Sequence, residues 1–202
     1  MTTGCHPLVA DEDWPEQLIK LRGGPLAQLN VYKMMANHPS LLLAWSVLRD
    51  HLVVHSALSP QQSELVILRT GWRWRSRYEW VHHVSRSRRV GLSDDVIALC
   101  ATSVPAAAGG DALLLDVVDA LMERGKLSED LLARLQDLVG IKGSLDVMAT
   151  IGMYTTLAFL LETFAVPVDD DVAAELAGDP LAALGSAAER PVSTGALVGR
   201  EA

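Results

Sequence analysis

At Ser59-Pro60-Gln61-Gln62 the chain marks a helix start in three ways. Serine caps, proline suits the first helical position because its missing N–H is no loss there, and Gln62 can return a bond to the cap. Four apolar residues follow at Leu65-Val66-Ile67-Leu68. At about 100° per residue they cover every side of one helical turn, so this helix has no solvent face and must be enclosed by others. Glu64 stands just before that run, a carboxylate at the edge of a buried turn.

The rest of the chain reads as helix too. Strand-like alternation bounded by turn residues is hard to find, while caps and stops recur at helical intervals. A first helix is expected from about Pro25 to Asn37, stopped by His38-Pro39, and a second from about Ser40 to His55. A fourth runs from about Arg77 to Val90 and closes at Gly91-Leu92. Ser93, Asp111 and Ser128 cap three more, the last ended by Gly140, and a final long helix spans about Ser144 to Phe164. The expectation is an all-α bundle of seven or eight helices. Residues 1–24 form an N-terminal arm, 25–172 the helical domain, and 173–202 a tail rich in alanine and glycine. Beyond Ala177 this tail is expected to be loosely held, or ordered only by a neighbouring subunit.

Composition narrows the partners. Half of the residues are hydrophobic, which excludes a disordered chain. The longest uncharged apolar run, Val147 to Leu161, has 15 residues where about 20 are needed to cross a bilayer, so it reads as a core helix with no membrane partner. Residues 1–13 carry no secretion signal. Cys5 and Cys100 form no CxxC and no zinc set, which fits a reduced, cytoplasmic protein. The net charge of −8 argues against nucleic acid. That charge is uneven: from Arg69 to Arg89 there are seven arginines and only Glu79 as acid, a net of +6 against −14 elsewhere. Such a cluster is either a solvated helix face with inter-subunit salt bridges or a pocket for an anionic substrate. The enclosed third helix and the apolar last helix together call for a homo-oligomer.

Chemistry concentrates on the fourth helix. Ser76, Glu79 and His83 fall on one face, and Glu79 and His83, four apart, are within reach of each other. A carboxylate beside an imidazole raises its pKa from about 6.5 and gives a proton donor or acceptor near neutrality. If the chain reverses between Trp74 and Arg77, Glu64 comes level with His83 to Ser87, although no Gly or Pro marks that turn. Tyr78 and Trp80 are equally placed to line a pocket or an interface. His82 points away from His83, as a subunit contact or a residue standing behind the site. Tyr154 is either a pocket wall or core. His51 and His55 have a metal-ligand spacing without a third ligand, so no metal site is assigned.

The run from Glu64 to Arg69, then Trp72, Tyr78-Glu79-Trp80, His82-His83, Arg89 and Gly91-Leu92-Ser93, resembles the carboxymuconolactone decarboxylase family, which shares the AhpD-like fold with alkylhydroperoxidases. The likeness resumes at Leu138-Val139, Tyr154-Thr155, Leu157-Ala158 and Pro167, covering residues 25 to 172. It implies an all-helical protomer assembling as dimer, trimer or hexamer, with the active site on the central helix pair. In the peroxidase branch a glutamate is followed by CxxC and a histidine. Laid on this chain those positions are Glu64, Ser76, Glu79 and His83, so both redox thiols are absent and thiol peroxidase activity does not fit. What remains implies a cofactor-independent, decarboxylase-like lyase acting on a small anionic carbonyl or lactone compound. His83 is the expected acid, Glu79 and Glu64 its orienting carboxylates, and Arg75 or Arg77 the grip on a substrate carboxylate, with Ser76, Tyr78 and Trp80 beside them. An isomerase or hydro-lyase on the same scaffold, and a catalytically silent binding or assembly protein, stay open as alternatives.

Overall fold

Every element in the computed structural model, which describes residues 8–102 and 109–185, is helical. Two 3₁₀ turns, Glu16–Leu18 and Pro25–Gln28, lead into α1 (Asn30–Met35) and α2 (Pro39–Val54). Then come α3 (Pro60–Trp74), α4 (Arg77–Arg89), α5 (Asp94–Leu99), α6 (Gly110–Arg124), α7 (Glu129–Thr163), α8 (Asp170–Glu175) and α9 (Pro180–Leu184). The described residues thus hold nine α-helices where seven or eight were expected, because two short ones follow α7.

The capping box at Ser59 forms in full: Ser59 Oγ accepts from the Gln62 N–H, and the Gln62 side chain accepts from the Ser59 N–H. The hydroxyls of Ser93 and Ser128 cap α5 and α7 in the same local way. Gly140 interrupts α7 with φ 70° and ψ 176°, a backbone that a side chain would strain, so the two expected helices are one element with a break. α7 is long and apolar enough to cross a bilayer, but 56% of its most apolar stretch is buried inside the protein.

α3 is the axis of the bundle, packed against α4, α6 and α7. Its residues from Leu65 to Gly71 are all buried, as four consecutive apolar positions require. That burial takes Arg69 with it. The side chain is 1% exposed, and its guanidinium donates to both carboxylate oxygens of Asp119 on α6 and to the carbonyls of Cys100 and Thr102. Only such saturation makes a buried cation tolerable.

The arginine-rich stretch is mostly tied up within the protomer. Arg73 pairs with Asp119 and Glu123, Arg88 with Asp94 and Asp179, and Arg89 with Glu175. The segment expected to hang loose after Ala177 is held through Gly185. Trp80 Nε1 donates to the Leu181 carbonyl, Asp179 caps α9, and Gly185 lies so close to the Trp80 ring that any side chain there would collide with it. Cys5 and the end of the tail lie outside the described residues. Cys100 is a buried free thiol.

Asp119→Ala leaves the Arg69 charge buried without its carboxylate. We expect a loss of about 3–5 kcal/mol in urea unfolding. The paired change Arg69→Met with Asp119→Leu should lose much less, since no uncompensated charge remains. A single-variant loss below about 1 kcal/mol would mean that water reaches Arg69.

Candidate active site on the central helix pair

The chain reverses after Trp74 although neither Gly nor Pro is present, because Arg75 itself takes the left-handed conformation (φ 59°, ψ 28°). α4 then runs back along α3. The two helices meet at Gly71, where a Cβ would sit 3.1 Å from the Cβ of Glu79. This close approach sinks almost the whole first half of α4: Tyr78, Glu79, Trp80, Val81, His82 and His83 are all buried.

Glu64 and His83 meet inside. Nδ1 of His83 lies 2.6 Å from Oε2 of Glu64, and Nε2 lies 3.4 Å from Oε2 of Glu79. A carboxylate only accepts, so the ring gives a proton to Glu64 from Nδ1. Burial on its own would lower the His83 pKa. The charge and hydrogen bond of Glu64, with a further bond from Glu79, outweigh it and raise the group above 6.5. The edge of the ring packs against Tyr154 with centroids 5.2 Å apart.

His83 and Glu79 open onto a cavity of about 50 Å³ between α1, α2, α4 and α7, lined also by Tyr32, Trp45, Tyr78 and Tyr154. On the Glu64 side lies a wider cleft of about 480 Å³, and Tyr154 and Arg86 wall both spaces.

Several expected site residues lie elsewhere. Trp80 is fully buried in the core and held by Leu181, and it does not face the cavity. Ser76 is sealed behind the α3–α4 turn, its hydroxyl without a hydrogen-bond partner. Arg75 and Arg77 are exposed at that turn, because the reversal throws them outward. Arg77 lines the shallow cleft beneath α8 and α9. The guanidinium groups on the cavity are Arg86 and Arg49 instead. Arg86 was legible in principle, since Glu79, His83 and Arg86 fall at i, i+4 and i+7 of one helix.

His82 lies on the cavity itself and not behind it. It is buried on the cavity wall, stacked on Tyr78 at 4.2 Å, with Nε2 3.1 Å from Oδ2 of Asp169. The Tyr78 hydroxyl donates to the same oxygen at 2.6 Å, and the Asn30 N–H donates to Oδ1 at 2.7 Å. Burial alone would raise the Asp169 pKa. The bonds from His82, Tyr78 and Asn30 reverse it and hold the carboxyl below the usual range. His51 and His55 part company, to Asp146 at 3.0 Å and Asp50 at 3.5 Å. Among the described residues no group of three or more His, Cys, Asp or Glu has a metal-holding arrangement.

Residues 39–123 match the carboxymuconolactone decarboxylase family. That segment contains α2 to α5 and most of α6, hence Glu64, Glu79 and His83. A crystal structure described as an uncharacterized peroxidase-related protein from Silicibacter sp. TM1040 is similar with a TM-score of 0.71 over 85% of this chain and 95% of that one. At 15% identity the likeness is one of fold, the all-helical AhpD-like bundle. No curated protein matches the sequence.

The raised His83 pKa has a sign that unfolding can read. Its contribution to stability is complete below about pH 6.5, the value in the unfolded chain, and is lost as pH rises through the folded-state pKa. The stability difference between wild type and Glu64→Gln should therefore be largest at about pH 5–6.5 and shrink above it. In NMR titrations the His83 midpoint should lie above 6.5 and fall in Glu64→Gln. A wild-type midpoint at or below 6.5 would show that burial wins.

Proposed function

We propose that the protein is a cofactor-independent lyase of the carboxymuconolactone decarboxylase type, acting by proton transfer on a small anionic carbonyl or lactone compound. The observation that carries this reading is the buried chain Glu64–His83–Glu79 ending at a cavity. A histidine held by one carboxylate through Nδ1 presents its other nitrogen in a fixed direction, as a general acid needs. In decarboxylation the bond to the departing carboxylate breaks and its electron pair stays on carbon as an enolate-like carbanion. Carbon dioxide leaves, and His83 delivers the proton that replaces it. Glu64 then supports the ring as it reloads. The cavity also counts for an enzyme over a silent relative, in which side chains would fill the space around His83.

An isomerase or hydro-lyase is the second reading, favoured by His82 on the same cavity with Asp169 paired to it from behind. Two histidine–carboxylate pairs suit a proton removed at one atom and returned at another. Thiol redox chemistry is not part of the proposal. Ser76 and Glu79 stand at the positions of the paired cysteines, and burial pushes the Cys100 thiol up to about 12. We place the protein in the cytoplasm as a homo-oligomer. In support, Val47 on α2 and Ile141, Leu145 and Phe159 on α7 expose 74%, 60%, 59% and 51% of their surface. Light scattering should give a multiple of 21.8 kDa, and a stable monomer at micromolar concentration would refute the assembly.

Carbon dioxide release from small unsaturated lactone and keto acids is the direct assay. His83→Ala should lower turnover by about 10²–10⁴-fold with an unchanged circular dichroism spectrum, and Glu79→Gln by less. Full turnover in His83→Ala would remove the proposed site.

A further inference from the structure

The arginines sort into two groups. Arg69, Arg73, Arg88 and Arg89 each have a carboxylate partner. Arg49 on α2 and Arg86 on α4 have none among the described residues, and both line the cavity at His83. They are half-buried, so their charges are only partly solvated. Both bear electrostatically on Tyr32 and on Tyr154, which fixes them on the same space from two different helices. Tyr32 lines the same cavity, its buried hydroxyl beside that of Ser46, which donates to the Leu42 carbonyl. The one carboxylate on the cavity, Glu79, is partly offset by His83 Nε2 at 3.4 Å. Two guanidinium groups with a phenol beside them around a partly open space form a receptor for one planar anion.

We propose that Arg49, Arg86 and Tyr32 bind a carboxylate of the substrate that is retained through the reaction. This rests on the proton-transfer reading only for what happens next. The retained group follows from charge. A carboxylate leaving as carbon dioxide loses its charge, so two guanidinium groups on it would stabilise the ground state more than the transition state and slow the step. The gripped carboxylate is therefore a second acidic group, and the product still carries it. Arg86 stands one turn along α4 from His83, on the face shared with Glu79, so a carboxylate held there sets the reacting carbon beside the imidazole. The cavity of about 50 Å³ has room for a carboxylate and a short carbon stub.

Because the anchor outlasts the reaction, simple monocarboxylates are valid probes of the full-length protein without knowledge of the substrate. Acetate, pyruvate and benzoate would be titrated by calorimetry, with inorganic phosphate as a separate arm. Tryptophan fluorescence would serve as a second readout, because Trp45 lines the cavity. At least one carboxylate should bind at one site per chain, more tightly than phosphate. Arg49→Gln and Arg86→Gln should each weaken it about tenfold or more, and Tyr32→Phe by less. Arg49→Lys and Arg86→Lys keep the charge and the fold but lose the fork, and should fall between. Arg75→Gln and Arg77→Gln should bind as the wild type does. No carboxylate binding, binding indifferent to Arg49 and Arg86, or phosphate bound as tightly would each overturn the proposal. His83→Ala separates the two readings: carboxylate binding that survives in it supports the receptor whatever becomes of turnover.

Discussion

α3 and α4 approach so closely at Gly71 that even a Cβ there would sit 3.1 Å from the Cβ of Glu79, tighter than ordinary packing. Most of the molecule follows from that contact. It fixes the register of the two helices, and the register decides that Glu64 meets His83 with a separation of 2.6 Å. It also drives α4 inward, so the other elements must accommodate a helix that is polar by composition and buried by position. α8 and α9 cover its outer side, which is why Trp80 finds its partner at Leu181.

Burying charged side chains is costly unless each has a partner, and for these the interior supplies long-range pairs. Arg69 takes Asp119, His83 takes Glu64, and Tyr78 and His82 share Asp169. Each pair joins different elements, so the network also ties the bundle together. Around His83 the balance runs toward the charged imidazole, because Glu64 and Glu79 together outweigh the burial that opposes it. Arg86, one turn along α4 from His83, pulls the other way.

The positive stretch from Arg69 to Arg89 shows how one local composition is divided by tertiary position. Arg69 became a buried structural cation, and Arg73, Arg88 and Arg89 became ties to α5, α6, α8 and the α9 cap. Arg75 and Arg77 were turned outward by the reversal itself. Only Arg86 reached the cavity, and it was joined there by Arg49 from outside the stretch. Within the protomer the stretch is thus divided among the core, ties between helices, the exposed turn and the cavity.

The sequence by itself determined what is set within one helical turn. The serine caps, the break at Gly140, the enclosed turn at Leu65–Leu68 and the pairing distance of Glu79 with His83 all depend on neighbours a few residues apart, whose geometry the helix imposes. The family resemblance added the position of Glu64 relative to His83. What only the tertiary structure decided is which side chains face one another across elements. Asp169 reaches the Asn30 N–H over 139 residues and Tyr78 over 91, and Arg49 arrives from a helix that no local pattern links to α4. Trp80, next to Glu79 in sequence, was carried away from the cavity because a helix turns about 100° at each residue, and Ser76 was left behind as the N-cap residue at the α3–α4 turn. Proximity along the chain places residues on one element, but packing alone chooses the face that becomes a site.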